Sequence, residues 1–137
     1  GTLIRQQDKL LYSFFNADQI FDFLLSIGMK PFVELSFMPG ALASGNATVF
    51  HYRANVTPPY DYRQWARLIH KLASHWIERY GASEVRKWFF EVWNEPNIGY
   101  WRGSREEFFK LHDHAIHAVR RAIPEAKVGG PDVAGGL

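Results

Sequence analysis

One carboxylic acid in this sequence occupies a position suited to proton transfer. Glu95 follows an alternating, aromatic-rich run, residues 88–93, and lies in the turn sequence Asn94-Glu95-Pro96-Asn97. The run predicts a buried strand, and the turn ends it because Pro96 has no N–H to donate to a sheet and asparagine suits turns. A rigid element would therefore aim Glu95, as a general acid or base requires. The bare turn leaves a second interpretation open, a solvated glutamate without a chemical role.

The pattern Trp-x-Phe-Glu-x-Trp-Asn-Glu-Pro-Asn over residues 88–97 resembles the acid/base signature of glycoside hydrolase family 39, and all eight fixed positions are filled. The family contains bacterial β-xylosidases and α-L-iduronidases. The resemblance implies a (β/α)8 TIM barrel, Glu95 as general acid/base of a retaining enzyme, Asn94 as a ligand of the sugar 2-hydroxyl, and no cofactor. Asn97 and residues 30–59 look like the xylosidase branch, so xylosides or xylo-oligosaccharides are the expected substrates and an iduronidase-like glycosidase is the alternative.

The length of the chain limits how much of that fold it can form. It has 137 residues, whereas a (β/α)8 barrel takes about 200 to 250. We therefore expect an α/β fold comprising roughly strands two to five of the barrel with their helices, residues 1–137 being an internal fragment of one catalytic domain. By the resemblance the nucleophile follows strand seven and lies outside the chain. A catalytically inactive half-barrel with at most weak sugar binding is the alternative from a different functional class.

A strand–helix alternation is expected to position these residues. The predicted strands are residues 10–14, 31–37, 88–93 and 127–130, and the predicted helices are residues 16–27, 57–81 and 104–124. Asn16 with Gln19 and Ser104 with Glu107 predict N-terminal caps, and Gly81 predicts a helix end. Residues 38–56 show neither period, and a loop of that length in a compact domain is usually functional.

Retaining hydrolysis needs two carboxyl groups about 5 to 5.5 Å apart, and Glu91 and Glu34 are the other acids on predicted strands. Side-chain alternation places Glu91, Trp93 and Glu95 on one face, but four residues at about 3.3 Å each put Glu91 near 13 Å from Glu95. We therefore predict that Glu91 is a structural acid held by an arginine or lysine, since an unpaired buried charge is costly. Glu34 is assigned the same role.

Aromatic residues lie on the loops that follow the predicted strands, where barrel enzymes build their active sites. Phe37, His51, Tyr100 and Trp101 are candidates for the walls of a sugar subsite, with Phe37 and Trp101 preferred on position. Packing of these side chains within their own loops is an equally good interpretation for each one alone.

Composition excludes several other functions. Sixteen Lys and Arg against fourteen Asp and Glu are scattered, which argues against nucleic acid, and no apolar run suggests a membrane span. The absence of cysteine fits a reducing compartment and favours the cytoplasm. His112, His114 and His117 lack the accompanying motif of a metal site and predict a solvated helix surface. We expect no bound metal, and the sequence does not indicate an oligomeric state.

Overall fold

The computed structural model describes residues 2–135 of the chain. The strands are β1 (Leu3–Gln6), β2 (Lys9–Tyr12), β3 (Phe32–Leu35), β4 (Thr48–Val49), β5 (Ala54–Asn55), β6 (Phe89–Val92) and β7 (Lys127–Gly129). The helices are α1 (Phe15–Ser26), α2 (Tyr62–Tyr80), α3 (Ala82–Val85) and α4 (Arg105–Ala122), with a 3-10 turn at Pro96–Ile98.

The centre of the fold is a three-stranded parallel sheet in the order β3-β6-β7. Helix α2 connects β3 to β6 and helix α4 connects β6 to β7, which is the βαβ arrangement that the alternation predicts. The α/β class and the three strands predicted near residues 31–37, 88–93 and 127–130 are therefore confirmed.

The two faces of this sheet differ in exposure. Val33, Leu35, Phe90 and Val92 are buried in one continuous core with the apolar stripes of α2 and α4. On the opposite face Phe32 is 66% exposed and Phe89 is 47% exposed, although their rings stack at 5.8 Å. A parallel sheet is normally covered on both faces, so this sheet presents one unoccupied face.

Both long helices begin at a side-chain cap. Ser104 and Glu107 form the predicted capping box at the start of α4. Helix α2 instead begins after Asp61, whose carboxylate accepts the Arg63 N–H, and ends at Gly81, which has a φ of 84°. The prediction that Thr57-Pro58-Pro59 opens α2 is wrong, because these residues are buried in the preceding loop.

Helix α1 is present, but its predicted cap is wrong. The helix starts after Phe14, without a side-chain cap, and Asn16 already lies inside it. Its one buried side chain is Asp18, whose Oδ1 lies 2.7 Å from Nε2 of His75 on α2, whereas Ile20 is 60% exposed. A hydrogen bond between Asp18 and His75 therefore contributes to the attachment of α1.

A strand is present near the predicted residues 10–14, but its expected place in the parallel sheet of the barrel is wrong. Residues Lys9–Tyr12 form β2, which pairs antiparallel with β1 in a separate hairpin and does not join the parallel sheet. Gln7 and Asp8 link the two strands with φ values of 45° and 60°, the left-handed pair that a two-residue type I′ turn requires. The sequence conceals this hairpin because Gln-Asp is not one of the usual residue pairs for that turn.

Candidate active site

Glu95 lies in the turn that leaves the carboxyl end of β6. Its backbone is left-handed, with φ 43° and ψ 54°, and its C=O accepts the Ile98 N–H of the 3-10 turn that Pro96 begins. The Glu95 N–H donates to Asp132 Oδ1 at 3.3 Å. A non-glycine residue in this conformation is uncommon, and such residues are concentrated at functional sites. The side chain is partly buried, so it can reach solvent or a ligand.

Trp93 fixes the start of this turn from inside the fold. It has a φ of 73°, is fully buried, and donates its indole N–H to the Tyr100 carbonyl at 2.7 Å. Its ring packs edge-on against Trp101 and Phe37, at 5.2 and 5.5 Å. A positive φ interrupts the strand alternation, so the expectation that Trp93 shares a face with Glu91 and Glu95 is wrong. For the same reason 13 Å is an upper limit on the separation of the two glutamates along the chain.

The expectation that an arginine or lysine pairs with Glu91 is wrong. Among the described residues no lysine or arginine forms an ion pair with it. Partial burial raises the pKa of Glu91, and the nearby negative charges of Asp132 and Glu34 raise it further. The charged neighbours of Glu91 are therefore two other carboxylates, and Glu91 lies on the uncovered face of the sheet.

Glu34 also differs from its expectation. It is exposed rather than buried, it is the register partner of Glu91 across β3 and β6, and it accepts a hydrogen bond from the Ser36 hydroxyl. Strand periodicity correctly predicts the face of the sheet on which Glu34 lies. Because that face is exposed to solvent, the carboxylate is hydrated and needs no cation as a partner.

An open pocket of about 540 Å³ lies at the carboxyl end of β3, beneath the long loop. It is lined by Glu34, Phe37, Tyr52 and Arg53, together with other residues between Ser36 and Asn55. Phe37 is thus beside a cavity, as its candidacy as a subsite wall requires. Tyr52 and Arg53 were not among the sequence candidates, because the loop that brings them to β3 has no periodicity.

The remaining aromatic candidates have different surroundings. His51 is exposed, outside the pocket lining, and its ring meets Tyr52 edge-on at 5.2 Å. Tyr100 packs edge-on against Phe37 at 6.2 Å. Trp101 is only 9% exposed and donates its indole N–H to the Ser104 carbonyl at 2.9 Å. This geometry favours loop packing for Trp101, and its role as a sugar contact stays a prediction.

Asn94, the other predicted sugar ligand, is partly buried next to Glu95. Within residues 2–135 its side chain forms no hydrogen bond to the protein, so its amide has free donors and an acceptor. A free amide beside the candidate acid is what a sugar hydroxyl ligand requires, and this assignment likewise stays a prediction.

The histidines of α4 do not form one cluster. His114 and His117 each lie within hydrogen-bond distance of the carbonyl four residues earlier, whereas His112 Nε2 lies 3.0 Å from the Gly130 carbonyl. His112 therefore links α4 to the segment after β7 and is more than a solvated surface residue. Residues 2–135 contain no group of three or more His, Cys, Asp or Glu arranged to hold a metal ion. No helix in the same range is long and apolar enough to cross a bilayer.

Residues 2–136 match the family model for glycosyl hydrolases family 39. This chain belongs to glycosyl hydrolases family 39. Over 133 residues it is 59% identical to a β-xylosidase of Caldicellulosiruptor saccharolyticus, an alignment that covers 95% of this chain and 27% of that protein. It is 33% identical to the α-L-iduronidase of Mus musculus, with 89% of this chain and 18% of that protein aligned.

The structural comparison agrees with the family 39 assignment. The fold matches that of a monomeric β-xylosidase from Caulobacter crescentus with a TM-score of 0.92 and 41% identity, over 98% of this chain and 28% of that one. The chain thus spans about a quarter of the length of these β-xylosidases. The resemblance of residues 88–97 to the family 39 signature is confirmed by these matches at the level of the family.

Proposed function

We propose that this family 39 segment comes from a retaining β-xylosidase and that Glu95 is its general acid and, later, its general base. The observation that carries the proposal is the position of Glu95: it follows the carboxyl end of a parallel strand, within the signature, in a backbone conformation held by neighbouring residues. The 59% identity to a β-xylosidase supports the substrate class.

The fold part of the proposal is that residues 2–135 contribute three consecutive strands, with their helices, to a (β/α)8 barrel. The exposed sheet face supports it, since Phe32, Phe89, Glu34 and Glu91 would then point toward the barrel interior. The two helices that connect the strands pack on the other face, as the outer ring of such a barrel does. Strand two and the remaining strands would come from chain outside this range.

The proposed reaction has two steps. A carboxylate outside this segment attacks the anomeric carbon, and Glu95 gives its proton to the departing glycosidic oxygen. Glu95 is then ionised and takes a proton from the water that hydrolyses the glycosyl-enzyme. Asn94, adjacent in the chain, hydrogen-bonds the sugar 2-hydroxyl. These steps need no cofactor, and the nucleophile is the component that this chain does not supply.

The substrate subsite is proposed to lie where Phe37 meets the pocket beneath the long loop. Phe37, Tyr52 and Arg53 line one cavity, so an apolar ring face and a cation would meet a sugar together. His51 and Trp101 remain candidates for sugar contact. The hydrogen bond and the burial of Trp101 favour a role in supporting Trp93 over contact with the sugar.

The proposed location is the cytoplasm, because the chain contains no cysteine.

The full-length protein and its Glu95→Gln variant test this proposal with an alkyl β-xyloside and an alkyl α-L-iduronide as substrates, because their poor leaving groups need a proton to depart. We expect hydrolysis of the xyloside, little of the iduronide, and at least the roughly 10²-fold loss in the variant that follows removal of proton transfer. Preference for the iduronide would transfer the assignment to the iduronidase type. Retained activity in Glu95→Gln would remove Glu95 from the reaction.

The isolated 137-residue chain provides a second test. Without the nucleophile the oxocarbenium-like transition state is not stabilised and no covalent intermediate forms. We expect no xyloside turnover above a Glu95→Gln control. Turnover that this substitution abolishes would show that the chain, or an assembly of chains, contains a second working carboxylate.

A further inference from the structure

The segment after β7 contacts the acid-bearing turn at two points. We call residues Gly130–Ala134 the β7 loop. In this loop Asp132 Oδ1 accepts the Glu95 N–H at 3.3 Å. Two residues further, the Ala134 N–H donates to Asn97 Oδ1 at 3.0 Å, and Asn97 Nδ2 donates to the Ala134 carbonyl at 2.7 Å. Three hydrogen bonds thus join the β7 loop to both ends of the Glu95–Asn97 segment.

The β7 loop is itself held against the sheet and against α4. Gly130 has a φ of 96°, and a Cβ atom there would lie 2.9 Å from Glu91 Cγ and 3.1 Å from the Val92 backbone nitrogen. Its carbonyl lies 3.0 Å from His112 Nε2. The β7 loop is therefore held in place at Gly130. Its hydrogen bonds can then hold the turn that contains Glu95.

Resting on the proposed role of Glu95, we propose that Asp132 is a positioning residue for the acid: it accepts the Glu95 N–H and, with the Asn97–Ala134 pair, keeps the turn in its left-handed conformation. Glu95 needs such support because residues in sparsely populated backbone conformations persist only where the surroundings determine them. The geometry of proton transfer is set by this backbone, since the side chain projects from it.

The role that we assign to Asp132 is to accept a hydrogen bond, which does not require a negative charge. An asparagine at the same position keeps a carbonyl oxygen that can accept the Glu95 N–H, whereas alanine does not. Val133, in the same loop, is 59% exposed and takes part in none of these hydrogen bonds, so Val133→Ala serves as a matched control.

The test uses the full-length protein with Asp132→Ala, Asp132→Asn, Val133→Ala and Glu95→Gln. Displacement of a catalytic group by about 1 Å can cost about 10²-fold in rate. We expect Asp132→Ala to lower kcat/KM, which reports the glycosylation step, about 10- to 100-fold on a xyloside with a poor leaving group and much less on an activated aryl xyloside. Asp132→Asn should recover most of this loss in kcat/KM, and Val133→Ala should match the parent protein.

Three outcomes would overturn the inference while leaving Glu95 as the acid. Asp132→Ala could retain full kcat/KM on the poor leaving group, or it could lower kcat/KM equally on both substrates, or Asp132→Asn could fail as completely as Asp132→Ala. If Glu95→Gln itself has full activity, the proposed function fails first. A merely structural Asp132 would lower thermal stability without the dependence on leaving group.

Discussion

Gly130→Ala provides a test of the close contact between the β7 loop and β6. Two penalties apply to this substitution. A side chain at a φ of 96° is strained, which costs about 1–3 kcal/mol. The new Cβ would also lie 2.9 Å from Glu91 Cγ and 3.1 Å from the Val92 nitrogen, and relief of such overpacking costs a further 1–3 kcal/mol or so.

Gly81→Ala isolates the first penalty. Gly81 ends α2 with a φ of 84°, and nothing lies within 4 Å of a Cβ placed there. We therefore expect Gly130→Ala to destabilise the full-length protein by about 2–6 kcal/mol and Gly81→Ala by about 1–3 kcal/mol. The difference between them measures the contact with β6 rather than the backbone conformation.

Calorimetric unfolding of the two variants, followed by kinetics on a xyloside with a poor leaving group, checks both parts of this argument. Gly130→Ala should lower Tm about twice as much as Gly81→Ala and should also lower kcat, because the displaced loop carries Asp132 and Ala134. Gly81→Ala should leave kcat unchanged. Equal Tm shifts, or a normal kcat in a folded Gly130→Ala protein, would refute the close packing and its link to Glu95.

Two further predictions follow from single contacts. Burial and the charges of Asp132 and Glu34 raise the pKa of Glu91, so the folded state holds this proton to higher pH than the unfolded state and loses stability as pH rises through the raised pKa. Glu91→Gln should therefore raise Tm at neutral pH and lose that advantage below about pH 4; a lower Tm at neutral pH would show that the ionised carboxylate stabilises the fold. Trp93→Phe removes the donor to the Tyr100 carbonyl and should cost about 1–3 kcal/mol, read from denaturant unfolding; an unchanged midpoint would show that the bond contributes nothing.

Local signals predicted much of the fold. The capping box of Ser104 and Glu107, the helix end at Gly81 and the strand of residues 88–93 all depend on residues close in sequence. The hairpin of β1 and β2 was missed because its turn, Gln7-Asp8, has an atypical composition.

Contacts between distant segments were not predictable. The expected cation beside Glu91 is absent among the described residues, and Asp132 lies there instead, 41 positions later in the chain. Periodicity assigns a residue to a face but does not identify the side chain opposite it. Alternation also failed at Trp93, where a positive φ turns the ring into the core. The same limitation hid Asp132 and Arg53 from the list of candidate site residues.

The role of Glu95 is tested most directly by the kinetics of Glu95→Ala in the full-length protein with leaving groups of graded acidity. Loss of the acid should slow glycosylation by at least about 10²-fold for poor leaving groups and far less for activated aryl xylosides, which depart without a proton. Equal slowing of glycosylation across the series would contradict the assignment of Glu95 as the general acid.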